Sequence, residues 1–126
     1  MEQKLRFAQK EEAKQIVEWL EGKPGYDAAV LDYPTLKILC SYNDVPKAYV
    51  PFQTVAMMES TANNPEATEG EVAQAFRDCV KAIGLLASAA GMRELYFLAT
   101  DEATAQMAEK RGFERMPWPA LRMKLK

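Results

Sequence analysis

The chain of 126 residues contains no histidine. That absence removes the usual proton shuttle near neutral pH, Ser-His and Cys-His nucleophilic systems, and most zinc sites. Any acid–base step falls to carboxylates, Tyr, Lys, Cys or water. Cysteine is scarce as well. Cys40 and Cys79 stand far apart and neither has metal-ligand spacing, so no metal is expected. Both thiols read as small buried apolar residues in a reduced, cytoplasmic setting. Neither sign of charge dominates: 16 basic and 18 acidic residues leave a net charge of −2. That balance gives no electrostatic footprint for nucleic acid and no basic helix for a membrane surface. No apolar run approaches the ~20 residues of a membrane span, and Met1-Glu2-Gln3-Lys4 opens no signal peptide.

What remains is the composition of a globular domain, 48% apolar and 27% charged. The length predicts one domain over residues 1–126, large enough to bury a core without disulfides or metals.

Lys4 to Ala8 reads as a short strand with Leu5 and Phe7 on one face. Glu11 to Leu20 follows as a helix, with Ala13, Ile16, Val17 and Leu20 in one apolar stripe. Ala28 to Tyr33 is a short extended or helical connector. Thr35 to Tyr42 alternates, with Leu36, Ile38, Cys40 and Tyr42 sharing a face. Asn43-Asp44 is a turn signal, and Ala48 to Val50 pairs back as a hairpin. Pro51 marks an edge, a bulge or the start of a turn, since it cannot donate to a ladder. Val55 to Met58 is the next strand.

Thr68-Glu-Gly-Glu71 has the spacing of a capping box with Thr68 as N-cap. The helix beyond it carries a broad apolar face, Val72, Phe76, Cys79, Val80, Ile83, Leu86, Ala87 and Ala90, and Gly91 stands where a C-cap glycine belongs. Glu94 to Leu98 is apolar on both faces, as in a central strand. Asp101 caps a helix to Arg111, and Leu121 to Leu125 alternates as a last strand. Met57, Met58, Met92 and Met107 read as core filler. Trp118 is either a surface anchor or the cover of a core edge, and Tyr49 and Tyr96 either pack the core or line a groove. The order of elements predicts an α/β (α+β) domain in which an antiparallel half joins a parallel βαβ half.

That order, with Leu95-Tyr-Phe-Leu-Ala-Thr-Asp101 and Ala108-Glu-Lys-Arg-Gly-Phe113 at its end, resembles the GNAT family of N-acetyltransferases over nearly the whole chain. The resemblance implies a mixed, mostly antiparallel central sheet, splayed at its centre and flanked by helices, with an acetyl-CoA site beside the long helix. It also implies an acyl-CoA-dependent N-acyltransferase activity. The segment carried over as the diphosphate loop covers Thr68, Gly70, Glu71, Val72 and Ala73. The main chain of Met57 and Met58 would meet the thioester. Glu59 is the candidate general base, its pKa raised by burial at the strand end.

Two positions depart from the family's pattern. Glu66, Glu69 and Glu71 crowd the place of the diphosphate, where a carboxylate a few Å away costs on the order of 1–4 kcal/mol. Binding of acetyl-CoA or CoA is therefore expected to be weak or absent. Ala108 replaces the family's phenolic acid, leaving water or Tyr96 to protonate a thiolate, and Asp101 stands near the family's Asn. The alternative is a non-catalytic domain that binds a partner protein or another small-molecule ligand. Met116 to Leu121 offers an apolar patch for a homodimer.

Overall fold

A computed structural model describes residues 2–117 and 119–126; Trp118, with both readings offered for it, lies outside the described residues. The class is α+β. Among the described residues three α-helices accompany a three-stranded antiparallel sheet and a two-stranded parallel sheet. The chain divides into two compact units, one comprising residues up to Ala56 with Leu86–Glu94, the other Met57–Leu85 with the residues from Leu95 onward. Among the described residues no helix is long and apolar enough to cross a membrane.

In the first unit the strands β1 (Lys4–Phe7), β2 (Lys37–Tyr42) and β3 (Pro46–Phe52) lie in that order, each antiparallel to the next. The β2–β3 turn is held by the Asp44 N–H, which donates to Asn43 Oδ1 at 2.7 Å. β3 is an edge strand, so Pro46 and Pro51 withhold no donor that a further strand needs. It continues through Pro51, opposite Ile38, and ends at Phe52.

The register sets Arg6, Cys40 and Tyr49 abreast on one face. α1 (Ala13–Leu20) packs here: Trp19 lies 5.3 Å from the Tyr49 ring, centroid to centroid. Ile16 and Cys40 are the unit's buried apolar residues, 2% and 0% exposed. The opposite face carries Leu5, Phe7, Val50 and Phe52, all exposed.

Glu12 joins the pieces. Its carboxylate accepts two hydrogen bonds from the Arg6 guanidinium on β1, at 2.6 and 3.0 Å. It also accepts one from the Gln9 N–H at 2.9 Å and one from the Tyr49 hydroxyl on β3. The Arg6 bonds lead in holding the Glu12 pKa down at about 2, while burial, with the Glu12 bond second, pushes Tyr49 up to about 12. The connector from Ala28 is helical rather than extended, a 3-10 segment Ala28–Asp32 capped by Asp27, which accepts from the Ala29 N–H at 2.9 Å. Tyr33, next in the chain, donates to Glu94 Oε2 at 3.0 Å.

α2 (Glu69–Ala89) ends in a Schellman motif. The Met92 N–H reaches Ala87 O at 3.0 Å, and the Gly91 N–H reaches Ser88 O at 3.0 Å. Gly91 sits at φ 86°, and a Cβ there would meet Pro34 and Thr35 at 3.6 and 3.7 Å, ordinary van der Waals contact, so the backbone conformation and not crowding calls for glycine.

The second unit takes Met57 and Met58 of β4 (Ala56–Met58), which runs parallel to β5 (Leu95–Phe97), with the Leu98 N–H donating to Met58 O at 3.0 Å. α3 (Glu102–Glu109) follows, capped by Asp101, whose carboxylate accepts from the Thr104 N–H at 2.8 Å. Buried Met58, Phe76 and Ala108 make the core. The Phe97 ring stands between Phe76 and Phe113, at 5.3 and 5.9 Å, in the tilted arrangement aromatic pairs favour.

Several expectations are corrected. Residues 119–126 form no strand: alternation supplies a face, but a strand exists only against a neighbour that takes its N–H and C=O groups. β5 is consequently the outer strand of its sheet among the described residues rather than a central one. The apolar face of α2 is not covered throughout, because Leu86 is 72% exposed. Cys79 is exposed, unlike Cys40. Met57 is exposed too, because it alternates with buried Met58 across the strand.

Two outcomes follow. Replacing Glu12→Gln removes the charge from a hub of four hydrogen bonds and should lower stability at neutral pH by roughly 1–3 kcal/mol in urea titrations. Because folding depresses this pKa from 4.5 to about 2, its contribution is complete above about pH 4.5 and fades towards pH 2. The variant should therefore lose less stability than the parent over that acid range. Gly91→Ala should cost about 1–2 kcal/mol, since only glycine takes that φ without strain.

Candidate functional site

Beyond β4 the chain leaves the sheet and turns at Asn64, whose Oδ1 accepts from the Glu66 N–H at 2.9 Å. The turn delivers Thr68 to the start of α2. There the Glu71 N–H donates to Thr68 Oγ1 at 3.1 Å, and the Thr68 N–H donates to Glu71 Oε1 at 2.9 Å. This is the reciprocal capping box that the Thr-x-x-Glu spacing predicts. The Thr68 main-chain N–H leads, with the hydroxyl contributing, in holding the Glu71 carboxyl below its ordinary range.

The box has a chemical consequence. Two main-chain donors that an anion would seek at a helix start are already taken, one of them by a carboxylate. Glu69 and Glu71 both stand in the first turn of α2. Gly70 is not demanded by crowding, because a Cβ there would meet only Thr68 Oγ1 at 3.9 Å.

A cavity of about 220 Å³ opens beside this loop. Its walls are Met58 from β4; Thr61, Ala62 and Asn63 from the loop; Val72, Ala75, Phe76 and Cys79 from α2; and Met107 from α3. The helix residues meet because 72, 75, 76 and 79 fall on one stripe of an α-helix. No charged side chain lines it; its polar groups are one hydroxyl, one amide and one thiol, apart from main chain.

Of the residues singled out from sequence, Met58 and Val72 reach this cavity. Thr68, Gly70, Glu71 and Ala73 lie at the helix start and form no part of its walls. Glu59 is exposed just past β4, so the burial expected of it is missing. Tyr96 is half-buried in the middle of β5 and outside the lining. Met57 is exposed. The Met58 carbonyl is engaged by Leu98, so the two strands are hydrogen-bonded together at that point. Ala108 is 4% exposed and packs in the core, and its carbonyl accepts from the Phe113 N–H at 3.2 Å.

The residues that sequence reasoning missed are Thr61, Ala62, Asn63, Ala75, Phe76, Cys79 and Met107. The stripe that includes Phe76 and Cys79 was visible, but periodicity does not say which part of a stripe faces a void. Comparison of the chain with protein-family models, curated proteins and solved structures finds no significant match in any of the three.

Thr68→Ala should cost about 1 kcal/mol in urea unfolding, the usual worth of an N-cap. A thiol-specific reagent should modify Cys79 in the folded protein and reach Cys40 only on unfolding. Mass spectrometry of the alkylated peptides checks the order.

Proposed function

We propose that the chain is a GNAT-like domain that works by binding a small-molecule ligand or a partner protein, without acyl-CoA chemistry. One observation carries this reading: the Thr68–Glu71 capping box occupies two main-chain donors at the helix start on which a diphosphate would have to rest, one of them with a carboxylate. The uncharged lining of the neighbouring cavity supports it, since a diphosphate needs cationic or main-chain donors and none of the lining side chains is cationic. Packing of Ala108 in the core supports it further, because no phenol is available on α3 to protonate a departing thiolate.

A second reading is favoured by a different observation. β4 and β5 are parallel neighbours joined through α2, and Glu59 stands open to solvent at the end of β4. An amine could reach that carboxylate. On this reading the domain is a slow, atypical acyl-CoA-dependent N-acyltransferase with Glu59 as base and Tyr96 or water as acid.

Isothermal titration with acetyl-CoA and with free CoA separates the two. The first reading expects dissociation constants of millimolar order or no binding, and no turnover with a panel of amines. The double variant Glu69→Gln, Glu71→Gln should bind CoA more tightly, because Gln keeps the capping geometry and removes the charge. Micromolar affinity in the unaltered protein, with acetylation lost in Glu59→Gln, would establish the second reading instead.

A further inference from the structure

The cavity beside the start of α2 shares part of its wall with the core. Met58 and Phe76, 8% and 4% exposed, belong to both. Ala75 and Cys79 of α2 and the loop from Thr61 to Asn63 also line it, and all of these are exposed. The wall therefore runs from solvent into the core, so a guest can enter from water and still bury apolar surface.

Size narrows the guest. The volume of about 220 Å³ exceeds the ~150 Å³ of an apolar protein cavity that takes up benzene. It falls short of the ~300 Å³ at which pockets for drug-sized ligands begin. One aromatic ring with a short substituent matches that space. The wall chemistry favours a ring as well. Met58 and Met107 present thioethers, which adapt their shape and make favourable contacts with an aromatic edge. Phe76 adds a ring against which a second can tilt or stack with an offset.

Charge narrows it further. None of the wall side chains is charged, so a carboxylate or an ammonium group brought inside gives up its water without a counter-charge. An anion meets a second penalty, because Glu69 and Glu71 stand in the first turn of the same helix. A neutral polar group is served differently. The side chains of Thr61 and Asn63 make no hydrogen bond to another described residue, and between them they offer both donors and acceptors.

We propose that this cavity binds an uncharged aromatic molecule carrying one hydroxyl or N–H group, which hydrogen-bonds to Asn63 or Thr61. The proposal rests on the reading of the domain as a small-molecule binder and names the chemical class of the ligand.

Benzyl alcohol, benzoate and benzylamine have one ring and nearly one size, and differ in charge at neutral pH. Each is titrated into the full chain while the methionine methyl groups are followed by NMR. Benzyl alcohol should saturate with a dissociation constant of roughly millimolar order. It should shift Met58 and Met107 and leave Met57, which is outside the wall, unmoved. Benzoate and benzylamine should bind about tenfold more weakly or not at all. Saturating benzyl alcohol should also slow alkylation of Cys79. Ala75→Leu fills the cavity from an exposed helix position and should abolish the shifts with unchanged far-UV circular dichroism. Asp78→Ala, on the same helix and outside the wall, should bind like the parent. Charged probes that bind as well as benzyl alcohol overturn the proposal, as does saturation that survives Ala75→Leu. Failure of all three probes to bind overturns it too. None of these failures bears on CoA, which is titrated separately: micromolar CoA affinity would sink the underlying reading even where benzyl alcohol binds.

Discussion

The carboxylate of Glu71 folds back onto the amide of Thr68, and much of the second unit depends on that closure. It fixes where α2 begins, and therefore which side chains of the helix face β4 and β5. Val72 and Phe76, one and five residues further on, fall on the stripe that walls the cavity and meets the core. The same closure decides the electrostatics of the helix start. A helix N-terminus ordinarily attracts anions. Here two of the donors at the helix start are engaged from within, one of them by the protein's own carboxylate.

Features that depend on neighbours in sequence were legible from the residues alone. The Thr68 cap, the Asp101 cap and the glycine Gly91 closing α2 were all readable, since each motif is complete within a few neighbouring residues. The alternation of β2 and its hairpin with β3 was readable for the same reason. What escaped depends on a distant partner. Leu121 to Leu125 has the pattern of a strand and lacks a strand's neighbour. Cys79 and Leu86 belong to an apolar stripe whose packed line runs through Phe76, Val80 and Ile83 and leaves both of them exposed. Glu59 would need a tertiary wall to be buried, and no local signal reports that none is present. The site was legible only at Met58 and Val72, because a void is defined by where elements stop.

Charge in the second unit is arranged in a way that a bare count of 18 acids does not reveal. Carboxylates gather at the start of α2, while the cavity beside it has none and the segment from Leu121 is basic. The polar side chains of the cavity wall are those of Thr61, Asn63 and Cys79, which offer weak dipoles and no charge. The first unit uses charge otherwise. There an ion pair, Arg6 with Glu12, is shielded enough to brace β1 and the start of α1 against Tyr49 of β3.

The strand register of the first unit also sets an order of assembly. β2 and β3 meet across a turn of a few residues, from Tyr42 opposite Pro46 out to Lys37 opposite Phe52. β1 meets β2 only after more than thirty residues are looped out, Phe7 opposite Leu39 being the nearest pair in sequence. Loop closure becomes dearer with length, by roughly 0.6 kcal/mol for each doubling. The hairpin therefore closes first, and β1 docks on a preformed edge once α1 and the Glu12 hub have shortened its search. In pulse-labelled refolding, amides of residues 37–52 should gain protection before those of residues 4–7, and simultaneous protection would contradict this order.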